Sequence, residues 1–453
     1  MSVLLLVVAC IATGLAIRLL RRLPRMVFAA SLVGAGVLVA ILVAAPSAPA
    51  DFFGRTLSLD AGARAFLWMA IGLAVALALF GTLSFEQLSE SPAAIIANSQ
   101  GAFFFWSLAP LVVAIVLDSF PLAVFFWAIG LIVLLLMATP RREGRVGGAA
   151  QFLLLTVVGV ACLFLFNRMY ELYPLTPENL DLVQTAVIFL TLGLGLLLGA
   201  APLHIWLGPV ADELPPLGIA FLAGVAQPVG LWLLFRRMSD TLWLTTRSPL
   251  MAILLFGGGL TVVLGAVLAL TERRVGRFIA YLSLVGLGQA LIGLSLGTRL
   301  GLGGALLATL NRALGTALVA GGFAFVQHHP ERRWQVIGGI AIFLGGLTLA
   351  GLPPMLGFAA SWSIYRDLAS GNLSLLLLLL ASSALTVFAT LRTVWPIMTK
   401  LKPVPETEEV KIVPYLCAAV AVALVILVIL AGFFPQVVAD PLIAALANAS
   451  YLK

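Results

Sequence analysis

The sequence predicts an all-α integral membrane protein of about fourteen transmembrane helices, each long enough to cross roughly 30 Å of hydrocarbon. Composition is the first observation: apolar residues fill 62% of 453 positions and charged ones only 10%, a balance foreign to aqueous folds of this size. The second is pattern. The apolar runs lack the period-two alternation of a membrane β-barrel. The third is a pair of matching interruptions. Residues 195–202 read GLLLGAAP and 346–353 read GLTLAGLP, so Gly195/Gly346, Leu196/Leu347, Leu198/Leu349 and Pro202/Pro353 coincide. Interrupted spans at corresponding places in two halves mark a repeat-built transporter or ion pathway.

In chain order the spans fall at 2–17, 27–45, 64–82, 101–117, 121–138, 149–167, 183–200, 217–235, 249–270, 278–298, 302–326, 336–363 with a break at 351–357, 373–397 and 412–434. The first has no basic start; Arg18, Arg21, Arg22 and Arg25 follow it instead, so it reads as a retained span and not a signal peptide. Loops are short and leave no room for a nucleotide fold. The GLGG at 301–304 suits close helix packing and lacks the context of a phosphate cradle. The charged stretch 400–411, KLKPVPETEEVK, reads as a solvated hinge before the last span. The tail after 434 is too short for a long lateral helix.

An even span count puts both termini on one side. Alternate loops carry sixteen Lys and Arg (Arg18, Arg21, Arg22, Arg25, Arg141, Arg142, Arg145, Arg273, Arg274, Arg277, Arg332, Arg333, Arg392, Lys400, Lys402, Lys411) against nine (Arg55, Arg64, Arg168, Arg236, Arg237, Arg247, Arg299, Arg366, Lys453). The richer side is cytoplasmic by the positive-inside rule. Expected, then, is a multi-pass protein of a bacterial inner membrane with both termini outside. The net charge of +7 is spread over short loops, so it sets topology and does not indicate nucleic acid.

Soluble-enzyme constellations are absent. His204, His328 and His329 lack the partners of a zinc site, and Cys10, Cys162 and Cys417 lie in apolar runs, where thiols pack as small hydrophobes. No cofactor, metal or catalytic site is expected. Trp206 and Trp362 read as packing or interface aromatics, Asp212 and Glu213 as solvated or facing a neighbour, and Arg392 as snorkelling to headgroups.

The segment 202–236, PLHIWLGPVADELPPLGIAFLAGVAQPVGLWLLFR, resembles the antiporter-like membrane subunits of respiratory complex I, membrane hydrogenases and multisubunit cation/proton antiporters. Pro202, His204, Trp206 and Leu207 match the family's Pro-x-His-x-Trp-Leu loop; Pro215, Leu222 to Val225 and Arg236 match the helix that follows. RFIAYLS at 277–283, Asn311 to Leu318, and GLPPMLGF at 351–358 match three further motifs. The resemblance implies fourteen helices, with helices four to eight (101–236) and nine to thirteen (249–400) as inverted repeats, the seventh and twelfth discontinuous. Before them stands a three-helix segment, 1–100; after them come the hinge and last helix, 401–453. A helix broken at mid-membrane frees backbone groups that only protein or water can satisfy.

Departures from the family pattern are informative. The resemblance implies a central row of ionisable side chains, because proton transfer inside a bilayer needs groups that gain and lose protons. Those positions fall on Ala128, Leu197, Pro228, Gly286 and Ser361, and Thr316 stands for a lysine. Only the histidine position keeps a charge, Arg312, and a guanidinium does not release its proton. Polar remnants are His204, Gln227, Gln289, Asn311 and Thr316.

Arg312 lies ten residues into its span, about 15 Å along a helix, where a charge costs roughly 2.5–3.5 kcal/mol on insertion scales. Candidate compensators are carbonyls freed at 351–357, Asn311, Gln289 or a partner's carboxylate. It reads as a plug bonded to the broken helix or as a fixed charge that repels cations; His204 reads as a cap on broken-helix carbonyls or as a proton collector.

The function this suggests is a membrane-arm subunit of a complex I-like or hydrogenase-type assembly, its own proton wire lost, with other membrane subunits and lipid as partners. The alternatives are an active cation/proton antiporter subunit and the membrane partner of an inorganic-carbon uptake system.

Overall fold

The computed structural model describes residues 2–46, 50–52, 55–84, 98–138, 147–399 and 412–446. The topology residues Arg141, Arg142, Arg145, Lys400, Lys402, Lys411 and Lys453 and the hinge 400–411 lie outside them.

The described chain is almost wholly helical: α1 (Ser2–Leu19), α2 (Pro24–Ala44), α3 (Ala61–Gly81), α4 (Gln100–Val116), α5 (Phe120–Leu135), α6 (Gly148–Leu172), α7 (Leu180–Leu198), α8 (Leu207–Glu213), α9 (Pro216–Phe221), α10 (Gln227–Asp240), α11 (Leu242–Thr246), α12 (Leu250–Thr271), α13 (Val275–Ser295), α14 (Arg299–His328), α15 (Arg332–Leu349), α16 (Leu356–Gly371), α17 (Leu373–Thr399), α18 (Ile412–Phe433) and α19 (Pro435–Leu446). Among the described residues eleven spans are long and apolar enough to cross a bilayer, and α4 and α5 are shorter apolar helices. With the broken pair α15–α16 these account for the expected fourteen. The protein is a multi-pass integral membrane protein. The expectation of helices alone needs one amendment, a small antiparallel hairpin, Ala50–Phe52 with Arg55–Leu57.

Local signals explain several helix starts. Asp60 Oδ1 accepts from Ala63 N at 2.6 Å, Asn179 Oδ1 from Leu182 N at 3.1 Å and Thr298 Oγ1 from Gly301 N at 2.9 Å, each satisfying a first-turn N–H that has no partner within the helix. Pro24 and Pro121 stand in first turns, where a missing N–H costs nothing.

Burial sorts the helices into a centre and a ring. The most apolar window of α14 is 94% buried and that of α9–α10 wholly so, whereas α18 buries 22%. Hydrophobicity alone does not separate them, since a ring helix trades its neighbours for lipid. Small residues mark the centre instead: α14 carries Gly301, Gly303, Gly304, Gly315, Gly321 and Gly322, which let backbones approach closely. Cys10 and Cys417 are buried and Cys162 is half-buried, all as free thiols.

Candidate functional site

Two helices stop partway along their spans and resume. α7 ends at Leu198; Gly199 takes the left-handed conformation (φ 67°) and its N–H closes onto Gly195 O. A short turn, Leu203–Trp206, then leads into α8. α15 ends at Leu349; Gly351 is left-handed (φ 78°), and α16 starts at Leu356. Glycine suits both caps because it lacks the Cβ that penalises positive φ. Each break also holds a cis peptide, Ala201–Pro202 and Pro353–Pro354. The helix ends pair as the sequence has them, Leu198 with Leu349, and so do the cap acceptors, Gly195 O with Gly346 O. The left-handed glycines, Gly199 and Gly351, fall one residue out of that register, so the second break is one residue longer than the first.

The freed groups of the first break are answered by three side chains. Trp206 Nε1 donates to Leu196 O at 2.8 Å, Gln227 Nε2 to Leu198 O at 2.8 Å, and Thr261 Oγ1 accepts from Ala201 N at 2.9 Å. The cap expected of His204 thus falls to Trp206, which is buried and stacks on Phe152 at 3.8 Å; His204 faces the carbonyl of Pro202, two residues back. At the second break Asn311 Nδ2 donates to Thr348 O (2.9 Å), Thr348 Oγ1 donates to Asn311 Oδ1 (2.6 Å), and Gly357 N donates to Thr348 Oγ1 (3.3 Å).

Arg312 joins the first break, not the second. Its guanidinium donates to Gln227 Oε1, and Gln227 passes the contact on to Leu198 O. The compensators expected for Arg312 did not include Gln227. The reason is helical: adjacent residues point about 100° apart, so α14 offers Asn311 to one break and Arg312 to the other. Arg312 is completely buried, the single charged side chain in the buried set among the described residues. Its Nε and Nη1 and Gln289 Oε1 lack partners there.

The other sequence-predicted positions divide. Gly286 and Arg312 are in contact: a Cβ at 286 would lie 2.8 Å from Arg312 Cβ and 3.1 Å from its Cγ, so the arginine stem fills the space a side chain there would need. Gln289 Nε2 donates to Ser361 Oγ at 3.3 Å. Thr316 Oγ1 bonds back to Arg312 O at 2.7 Å and serves its own helix. Pro228 has no N–H to offer its helix. The helix widens just before it: residues 222–226 form a π turn in which Gln227 N reaches Leu222 O, a known feature of functional helices. Trp127, beside Ala128, donates from Nε1 to Ala226 O in that turn at 2.7 Å. Leu197 faces away, against Gly159 of α6.

Charge gathers at the two ends of the spans. Asp212 is not freely solvated: it takes Arg274 at 2.5 Å and Arg277 at 2.6 Å. Glu213 accepts from Gly148 N (2.6 Å) and Ala149 N (2.8 Å), capping α6, where a carboxylate meets the positive end of the helix dipole. Arg392 donates to Glu272 O and so joins this end instead of reaching only to headgroups. Burial opposes ionisation of Glu272, but the Arg274 and Arg273 N–H groups and the Arg277 and Arg274 charges outweigh it and hold the carboxyl below its usual value. At the other end Arg236 bonds Asp118, Ser58 Oγ (2.8 Å) and Leu117 O (3.1 Å). Trp362 is exposed and stacks on Phe358, as an interface aromatic does.

This arrangement can hold two broken helices together through one buried cation and neutral amides. Among the described residues no cluster of three or more His, Cys, Asp or Glu could hold a metal. The missed residues Thr261 and Thr348 carry no charge signal; Trp206 stood in the Pro-x-His-x-Trp-Leu match and read as a packing aromatic, without its bond to Leu196 O.

Comparison with known proteins gives the same architecture. The chain is 29% identical over 383 residues to NADH-quinone oxidoreductase subunit N of Desulforudis audaxviator, covering 76% of this chain and 74% of the relative. Several other curated relatives are matched over only about half of their own length. Among solved structures, a chain of the membrane-bound sulfane sulfur reductase, an archaeal respiratory membrane complex, superposes with a TM-score of 0.78 at 19% identity, covering 99% of this chain and 97% of that one. A chain of Thermus thermophilus respiratory complex I superposes at 0.75 and 18%, covering all of both. Residues 118–388 match the family described as NADH:quinone oxidoreductase/Mrp antiporter, TM, and the chain, matched over more than half its length, belongs to that family.

Proposed function

We propose that this protein is an antiporter-like membrane subunit of a complex I-like respiratory or hydrogenase-type assembly, and that it spaces and couples its neighbours without passing protons through its own centre. The carrying observation is the state of the mid-membrane row. Positions 128, 197, 228, 286 and 361 are Ala, Leu, Pro, Gly and Ser, and the one ionisable group among them, Arg312, is bonded to Gln227 at the end of a broken helix. A guanidinium stays charged at any physiological pH, so it repels a proton and does not relay one.

On this reading the vestigial path is Ala128, Leu197, Pro228, Gly286, Arg312 and Ser361, with helices four to eight and nine to thirteen as the two repeats. The termini lie on the exterior side, consistent with the Lys/Arg bias. The partners are other membrane subunits, and the redox chemistry resides in them.

Flux through liposomes that contain the purified chain tests the reading. The expected proton or sodium flux equals that of protein-free liposomes, and Ala128→Glu with Pro228→Lys leaves it there, because Leu197, Gly286 and Ser361 remain gaps. Electrogenic flux above the liposome background sinks the proposal.

A further inference from the structure

α18 is the least buried of the eleven candidate spans, yet it is held to the body of the protein at three heights. Near its start Tyr415 Oη accepts from Arg333 Nη1 at 2.6 Å, and the Tyr415 ring stands edge-on to Trp334 at 4.8 Å; both partners open α15. Two residues on, the buried Cys417 Sγ lies 3.4 Å from Thr82 Oγ1 and 3.3 Å from Leu79 O, where α3 ends. Near its own end α18 meets the second break. A Cβ at Gly432 would collide with Pro354 O and stand 2.6 Å from Met355 C and 2.9 Å from Leu356 N, closer than a side-chain carbon comes to backbone unless something moves.

These anchors bridge the gap. Tyr415 and Gly432 are seventeen residues apart within one uninterrupted helix, a rise of about 25 Å. From Trp334 to Leu349 α15 rises about 22 Å, after which the chain leaves the helix and resumes at Leu356. α18 therefore touches the broken helix on both sides: at the start of α15 and at the residues that lead into α16. Every turn of α18 is bonded to the next, whereas residues 350–355 hold only turns. The contact at Gly432 is backbone against backbone, with no side chain that could swing aside. Its tightness is specific to this break. On α12, beside the first break, a Cβ at Gly257 would have only Ala201 O within 4 Å, at 3.9 Å.

We propose that α18 is a splint across the second break: it fixes the start of α16 relative to α15, and movement of α18 is transmitted to residues 354–356 through Gly432. On the reading of the chain as a coupling subunit, a neighbour that grips α18 acts on the second break without touching it; the splint itself is a property of the isolated chain.

Hydrogen exchange of the full chain in mild detergent, read by mass spectrometry on peptides that cover 350–358 and 199–206, tests the splint and is blind to ion flux. Gly432→Ala should speed exchange at 350–358 about tenfold by opening the break locally, with 199–206 unchanged. Gly257→Ala, which has room for its methyl, should leave both segments at the wild-type rate. Thr82→Cys sets a thiol against the native Cys417; the disulfide clamps α18 to α3, and oxidation should slow exchange at 350–358 about threefold, reversed by reductant. If Gly432→Ala does not fold, the clamp decides. Wild-type exchange at 350–358 in Gly432→Ala, or an equal rise at 199–206, would overturn the proposal. So would a clamp that forms without slowing the second break, or a disulfide that does not form, since α18 would then not lie on α3.

Discussion

The two breaks share a backbone and differ in what answers it. Both end a helix at a left-handed glycine three residues before a proline. At the second, Asn311 and Thr348 exchange two neutral hydrogen bonds; at the first, a neutral amide, Gln227, is caught between a helix-end carbonyl and a buried guanidinium. A neutral reciprocal pair can be removed at modest cost. A charge cannot lose its acceptor so easily, because desolvating it leaves nothing in return. The breaks therefore hold similar geometry at unequal risk, and α14 spans both through adjacent residues.

Gln227→Leu strikes the first break and should have the largest effect. It strips Arg312 of its acceptor and orphans Leu198 O, which should cost about 3 kcal/mol or more, read as a lower unfolding midpoint in micelles. Adding Arg312→Met should return a large part of that loss, since the charge goes with its need. A double variant no better than Gln227→Leu alone would mean that the charge is not what makes this break costly.

Asn311→Ala should cost less, about 1–2 kcal/mol, and no change at position 312 should rescue it. Thr261→Val leaves Ala201 N without an acceptor and should cost about 1 kcal/mol. If Asn311→Ala proves as damaging as Gln227→Leu, the contrast between a charged and a neutral break disappears.

The smallest effect concerns pH, which should act away from both breaks. Burial raises the Asp118 carboxyl's pKa, but hydrogen bonds from Ser58 and Thr56 and the Arg236 charge overcome this and hold it below the ordinary 3.8. A carboxyl lowered in the folded state stabilises above its unfolded pKa and loses that contribution as pH falls through the lower folded value. Wild type should therefore lose under about 1 kcal/mol as pH drops below about 4, relative to Asp118→Asn. An Asp118→Asn chain that loses as much as wild type on acidification would locate acid sensitivity elsewhere.

Spans and breaks were legible because each is a local property: about 20 apolar residues for a span, Gly and Pro for a break. The lack of central carboxylates was legible for the same reason. Partnerships were not. Arg312 finds Gln227 across 85 positions and Glu213 finds Gly148 across 65, and neither side chain carries a signal of the other. Asp212 and Glu213 look like surface charges until the α12–α13 turn and the start of α6 are folded against them. The extra residue of the second break was hidden by low complexity, where Leu, Gly and Ala match in any register.

On the proposed reading the polar centre ties the broken helices together and is not a conduit. A cryo-EM map of the assembled complex, at a resolution that reveals ordered water, tests it most directly. The expected map has water confined to the neighbourhood of Arg312 and Gln289, closed off from both membrane faces, with the apolar side chains at 128 and 228 dry. A continuous file of water from one face to the other through residues 227, 312, 289 and 361 would contradict it.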